Sequence, residues 1–453
     1  MATALAVWTQ RQGEDWLIGQ DSRVWESQVR DYLAQLRTTS QDRVLLVERH
    51  PLRFLAGFLA ACLADRPVFL GNPDWGDREW EQVRAIVQPT LIWGDSPIQP
   101  CEPASIEPIT ARIMIPTGGT SGQLRFAMHT WETLTASVEG FRQYFQLDQV
   151  HSCCTLPLYH VSGLMQFLRS FTSGGRLAIV PFRSLETGQP IPIHPEESCL
   201  SLVPTQLQRL LDRPDLAAWL ARFAIVLLGG APAWDSLLDR ARDRQIRLAP
   251  TYGMTETASQ VVTLKPEMFL AGKPGSGQVL PHAQVIVRGS QGEPLPDNQM
   301  GTIAIQAQSL TLGYYPQPFP SPEFLTDDLG YFDLEGILHL IGRASTKIIT
   351  GGENVFPAEV EAAIRATGMV RDVKVLGVLD PLWGQAVTAL YVPQSSEVSV
   401  DSLKRAIGSQ LVKFKHPKHW VAVSEIPRNA QGKLNEVQVK AIVQEFLHPS
   451  SFP

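Results

Sequence analysis

Phe223-Ala224-Ile225-Val226-Leu227-Leu228-Gly229-Gly230-Ala231-Pro232 is the stretch that sets the fold class. Its first six residues form a short apolar run, the pattern of a strand buried on both faces. The run stops at two glycines, and Pro232 suits the first turn of a following helix that continues to about Arg244. Upstream, Arg176-Leu177-Ala178-Ile179-Val180 reads as another buried strand. Before it, Thr130 can cap a helix in which Leu134, Val138, Phe141 and Phe145 recur on one face. Downstream, Ile246-Arg247-Leu248 leads into Thr251-Tyr252-Gly253-Met254-Thr255-Glu256-Thr257. Strands alternating with helices predict an α/β fold with mostly parallel sheets covered by helices. They also place the Gly229 and Tyr252 loops at strand ends, where such sheets bind ligands.

The texture changes after about Gly275. Gln284-Val285-Ile286-Val287, Gly301-Thr302-Ile303-Ala304-Ile305 and Leu312-Gly313-Tyr314-Tyr315 read as short strands parted by Gly, Pro and Asn. They predict a small antiparallel, β-barrel-like subdomain. Beyond Arg343 the chain starts afresh with Lys347-Ile348-Ile349, a turn at Gly351-Gly352, and a helix opening at Pro357. Strands near 373–379 and 386–392 and a helix near 400–411 follow. The expected division is a large domain at 1–343, a hinge at 344–347 and an α+β lid domain at 348–453.

A chain of 453 residues and 50.1 kDa is long for one core, in keeping with two domains. The net charge of -6 gives no general basicity to favour nucleic acid or an anionic membrane. Five cysteines (Cys62, Cys101, Cys153, Cys154, Cys199) lack metal-like spacing and read as reduced thiols. The opening residues carry no basic segment ahead of an apolar one, and no run is long enough to span a bilayer. The expectation is a cytoplasmic protein with small-molecule partners; a homodimer is the commonest default.

Four motifs carry chemistry. Pro116-Thr117-Gly118-Gly119-Thr120-Ser121-Gly122 offers small and hydroxylated residues whose backbone can approach an anion. Alone it reads equally as a plain turn, and it lacks the G-x-x-x-x-G-K-[ST] pattern of P-loop kinases. The others are Tyr252-Gly253-Met254-Thr255-Glu256, the acidic turn Thr326-Asp327-Asp328, and Pro427-Arg428-Asn429-Ala430-Gln431-Gly432-Lys433. In this order, from about Ile113 to Lys433, they resemble the acyl-adenylate-forming enzymes, which activate a carboxylic acid with ATP.

That resemblance implies ATP, Mg²⁺ and coenzyme A as cofactor and co-substrates. Activation brings an anionic acid to an anionic triphosphate, so it needs N–H donors, a divalent cation and a fixed positive charge. By resemblance, Thr117, Gly118, Gly119, Thr120, Ser121, Gly122 and Arg125 bind phosphate. Tyr252 stacks on adenine beside Gly253 and Met254, with Gly229, Gly230, Ala231 and Pro232 flanking. Thr255 meets the α-phosphate, and Glu256 holds Mg²⁺ as its metal ligand. Asp328 and Arg343 take the ribose hydroxyls. Lys433 bridges carboxylate and α-phosphate, then withdraws as the lid rotates and presents Gly351, Gly352, Glu353 and Asn354 to the thiol. The chain departs from the family pattern at Gly118, at Arg125 in place of Lys, at Asp327 in place of Gly, and at Thr346 where a hinge Asp is usual.

Leu156-Pro157-Leu158-Tyr159-His160-Val161-Ser162-Gly163-Leu164 and Ser201-Leu202-Val203-Pro204-Thr205-Gln206-Leu207 look closer still to the o-succinylbenzoate–CoA ligases of menaquinone and phylloquinone synthesis. That acid has a second, aromatic carboxylate in need of a counter-charge. His160 and Arg169 are the candidates; alternatively Arg169 snorkels to solvent and His160 is a plain pocket wall. Competing expectations are an aryl- or fatty-acyl-CoA synthetase, an adenylation enzyme loading a separate carrier protein, and an inactive ATP-binding relative.

Overall fold

The computed structural model describes residues 2–37, 43–101, 112–118, 123–189, 191–408, 410–428 and 434–447. Two large sheets dominate residues before 280. One has eight strands in the order Leu17–Ile18, Leu177–Ile179, His151–Cys154, Ser198–Leu202, Ile225–Leu228, Leu248–Met254, Ser259–Thr263, Gln278–Val279. The first six are parallel and the last two antiparallel. The other has seven strands, with Ile113–Gly118, Val68–Leu70, Val44–Val47 and Leu91–Gly94 parallel. Its Leu124–His129 strand turns back antiparallel on Ile113–Gly118.

Helices Pro51–Leu63, Trp131–Phe145 and Val161–Ser173 join the two sheets in one core, with Ile113 and Ile115 from one sheet and Cys154 and Leu177 from the other. The Thr130 cap forms: its hydroxyl accepts from Thr133 N at 3.3 Å, and Leu134, Val138 and Phe141 are buried beneath it. Helices Pro51–Leu63, Pro204–Leu211 and Pro357–Ala366 each open on a proline, whose missing N–H costs nothing there. Pro232 does not do this. The helix after Ile225–Leu228 begins only at Asp235, so Ala231 and Pro232 remain in an exposed connection.

Strands Ala283–Arg288, Gly301–Ala307, Phe324–Phe332 and Leu338–Arg343 form a four-stranded antiparallel sheet. The Leu312 segment is not part of it. Gly313–Tyr314 pairs with Leu124–His129 of the seven-stranded sheet instead, opposite Ala127. The acidic segment is likewise no turn: Asp327 and Asp328 lie within Phe324–Phe332.

After the single turn Ala344–Thr346, strands Ile348–Thr350, Glu353–Val355, Val370–Asp380, Gly384–Pro393 and His419–Ala422 build a separate sheet with its own core. Its last helix before residue 409 ends at Ile407, shorter than the sequence suggests. Among the described residues, no helix is long and apolar enough to cross a membrane.

Candidate active site

Tyr252 sits inside the strand Leu248–Met254, not in a loop beyond it. Ser259–Thr263 extends the sheet there by pairing Val262 with Tyr252 and Ser259 with Met254. The chain reverses between them through one turn, Thr255–Thr257, followed by Ala258 at φ 50° and Ser259 at φ 90°. Left-handed backbone at two side-chain-bearing residues is costly and persists only where neighbours hold it. Here Thr257 Oγ1 accepts from Met254 N at 3.0 Å, and Ser137 Oγ donates to Ala258 O at 2.7 Å.

Two residues not singled out in the sequence fix the same turn from the seven-stranded sheet. His129, fully buried on Leu124–His129, donates from Nε2 to the Thr255 carbonyl at 2.9 Å. Burial pushes its pKa down to about 4, so the ring is neutral at physiological pH. Tyr314 donates its phenol O–H to Glu256 Oε1 at 2.5 Å. The Arg125 guanidinium lies 4.1 Å from the Tyr314 ring centroid. The only sequence signal for either residue is its place in an apolar strand-like run; partners 126 and 58 residues distant are invisible to local periodicity.

Thr117 and Gly118 end the strand Ile113–Gly118, with Arg125 directly across from Thr117. The hairpin carrying the phosphate motif thus stands beside Glu256, joined to it through Tyr314. Gly119, Thr120, Ser121, Gly122 and Lys433 lie outside the described residues.

Asp328 and Arg343 face each other across neighbouring strands, Arg343 Nε to Asp328 Oδ1 at 3.3 Å. Tyr252 donates to Asp328 Oδ2 at 2.8 Å. Burial, and next the Asp328 charge, raise the Tyr252 pKa, so the phenol keeps its proton. Gly229 follows the adjacent strand, so close to Thr251 that a Cβ would come within 2.6 Å of its hydroxyl. Gly230 takes φ 82°. Gly253 is equally confined: its Cβ would lie 2.1 Å from Ser259 O. Tyr252, Met254, Thr255, Glu256, Arg125, Asp328, Arg343 and Gly229 therefore converge where three sheets meet.

The acyl-side candidates separate. His160 precedes the helix Val161–Ser173, half-buried, with Nδ1 3.2 Å from Ser162 Oγ. Arg169 does not snorkel: it is 2% exposed and donates to Gln260 Oε1 at 2.6 Å and Ser259 Oγ at 3.2 Å. Among the described residues no carboxylate pairs with it, and its Nε has no acceptor. Desolvation lowers its pKa to about 10, which still leaves it charged at neutral pH. The residues Gly351, Gly352, Glu353 and Asn354 are exposed at the hairpin of the C-terminal sheet; Gly351 N donates to Trp383 O at 2.9 Å.

Glu256 suits a hard cation held chiefly by phosphate oxygens and water: it gives one carboxylate, and the described residues hold no cluster of three or more His, Cys, Asp or Glu.

The chain matches the AMP-binding enzyme model over residues 80–315 and the AMP-binding enzyme C-terminal domain over 359–433. It belongs to the AMP-binding enzyme family. Within that family it is 32% identical over 351 residues to a 2-succinylbenzoate–CoA ligase of Bacillus anthracis, covering 74% of this chain and 71% of the relative. It is 32% identical over 341 residues to the protein of the same name from Enterococcus faecalis, covering 74% and 69%. Among solved structures, the o-succinylbenzoate CoA synthetase of Bacillus subtilis with its acyl-adenylate intermediate superposes at TM-score 0.83, 24% identity, covering 96% of this chain and 97% of that one. ATP-bound MatB from Rhodopseudomonas palustris gives 0.80 at 22% identity, covering 93% and 92%. These two likenesses establish the shared fold.

Proposed function

We infer that this protein is an AMP-forming acid–CoA ligase that joins 2-succinylbenzoate to coenzyme A. In the first step a carboxylate oxygen attacks the α-phosphorus of ATP and pyrophosphate leaves. In the second the CoA sulfur attacks the acyl carbon and AMP leaves. Mg²⁺, when bound, neutralises charge on the phosphates. Residues 117–122 and Arg125 would cradle those phosphates, Glu256 would offer its carboxylate to the cation, and the Thr255 hydroxyl would face the α-phosphate. Asp328, oriented by Tyr252 and Arg343, would accept from the ribose. The Tyr252 ring would support the adenine between Gly229–Pro232 and the strand end.

Lys433 is assigned the bridge between acid and α-phosphate. Residues 344–347 are assigned as hinge between a large domain at 1–343 and a lid at 348–453. The 350–354 hairpin is assigned to the thiol step. His160 would line the acyl pocket, and Arg169 would balance the aromatic carboxylate across Ser259 or through water. The pathway is menaquinone or phylloquinone synthesis in the cytoplasm, with a homodimer as the assembly.

One observation carries the choice of acid: relatives of that name are 32% identical across 74% of this chain. The buried Arg169 supports it: no acid pairs with it among the described residues, and an interior charge without a counter-charge is costly unless a ligand completes it. The test is pyrophosphate release with ATP, Mg²⁺, CoA and a panel of acids. Succinylbenzoate should exceed benzoate and octanoate by orders of magnitude; a monocarboxylate that matches it overturns the reading. In the same assay Arg169→Leu should raise the KM for succinylbenzoate by about tenfold to a hundredfold, the worth of a charged hydrogen bond, and leave the KM for ATP nearly unchanged.

A further inference from the structure

Glu256 hangs from a three-residue turn followed by left-handed backbone, an anchorage too short to hold a carboxylate by itself. Glu256 is nevertheless 6% exposed, and among the described residues its carboxylate is held at one oxygen. The fixing group comes from the short segment 311–315, which bonds in two directions. Toward the phosphate hairpin, Leu312 N donates to Met128 O at 2.8 Å and Tyr315 N to Phe126 O at 2.8 Å. Thr311 Oγ1 also donates to Met128 O, at 2.8 Å. Toward Glu256, Thr311 N donates to its main-chain carbonyl at 2.7 Å, and the Tyr314 phenol to Oε1 at 2.5 Å. The Tyr314 ring packs against the Arg125 guanidinium and makes a near-perpendicular contact with Phe319, whose centroid is 5.3 Å away.

We propose that Tyr314 is a positioning residue for Glu256: its phenol engages Oε1, turns Oε2 toward the divalent cation that accompanies ATP, and ties the carboxylate in register with the phosphate hairpin. The proposal rests on the reading of Glu256 as the cation's ligand. A hydrogen bond donated to an ionised oxygen is stronger than one between neutral groups, and it fixes the carboxylate plane. With Oε1 occupied, Glu256 is restricted to one metal-facing oxygen, which fits the octahedral demand of a small cation that keeps its water and phosphate ligands. Phenylalanine at 314 would retain the ring, its stacking and the strand pairing, and remove only this bond.

The measurement is binding of Mn²⁺ to the protein with ATP bound, followed through loss of the free-ion paramagnetic resonance signal beyond that caused by the same ATP without protein, alongside the Mg²⁺ dependence of pyrophosphate release. Tyr314→Phe should weaken Mn²⁺ binding by about tenfold to a hundredfold, the range expected for a hydrogen bond to a charged group. The KM for succinylbenzoate should stay unchanged. In a Glu256→Gln background the same substitution should shift Mn²⁺ binding by no more than about twofold, since the carboxylate it orients is gone. A general structural role would weaken every ligand and persist in that background. Tyr314→Phe protein that binds Mn²⁺ as tightly as the unaltered chain overturns the inference. If Glu256→Gln itself leaves Mn²⁺ binding intact, the assignment of Glu256 fails instead.

Discussion

The strand end at Tyr252 and the hairpin at Gly351 are built in opposite ways. Around Tyr252, Thr255 and Glu256, each of the three is buried and tied by hydrogen bonds to a distant element: Asp328, His129 and Tyr314 respectively. At the hairpin, Gly351, Gly352, Glu353 and Asn354 are exposed, as are the neighbouring Ile349, Leu379 and Leu382. Among the described residues no hydrogen bond joins this hairpin to the nucleotide-side cluster. The helix Pro357–Ala366 and its cap residue touch the larger part: the Arg365 guanidinium lies 5.0 Å from the Trp234 ring, and Phe356 lies beside Gly342. Under the proposed function, the groups preorganised against a charged transition state are the clamped ones, and those assigned to act by arriving are the uncovered ones.

Lys433→Ala is the strongest way to break that contrast. If the lysine acts by arriving from the C-terminal part of the chain, acyl-adenylate formation should fall by about 10²–10³, while CoA transfer from supplied acyl-adenylate survives. Equal losses in both steps, or none, would remove the distinction between the two regions.

Acid sharpens it next. His129 is held near a pKa of about 4 by burial, against 6.5 when unfolded, and His282 is lowered to about 4 for the same reason. Between these values the unfolded chain binds the proton and the folded one resists it. Their contribution is therefore complete above pH 6.5 and is lost as pH falls toward 4, at up to about 1.4 kcal/mol per pH unit for each ring. Thermal unfolding from pH 7 to 4.5 should show this slope, and His129→Gln should remove about half of it, leaving the His282 share. An unchanged slope would mean that the buried ring does not sense acid.

Gly352→Ala gives the smallest effect. Gly352 takes φ 84° with open space around its Cβ position, so the substitution strains only the backbone, by about 1–2 kcal/mol. Thioester formation should slow by roughly tenfold or less, and pyrophosphate release should hardly change. Loss of pyrophosphate release would assign the hairpin to the first step instead.

Local pattern was enough for much of the frame. The spacing of Leu134, Val138 and Phe141 marks the buried face of their helix, and the apolar runs near 177 and 225 mark their strands, because these signals repeat within a few residues. The order of the Thr117, Tyr252, Asp328 and Lys433 motifs likewise needs only the sequence, and it led to the family that the comparisons establish. What local pattern could not decide was partner choice. Pairing with Ser259–Thr263 draws the Tyr252 motif into a strand, and pairing with Ala127 takes Tyr314 out of the four-stranded sheet.

The chain alone thus determined several of the elements, their alternation and the chemical groups on offer, since each is a property of neighbouring residues. The folded structure alone decided that Tyr314 reaches Glu256, that His129 stays neutral beneath Thr255, and that Arg169 is sealed inside with no acid beside it among the described residues. Those outcomes depend on which distant surfaces are brought together and dried, and burial then sets the charge, orientation and cost of each group.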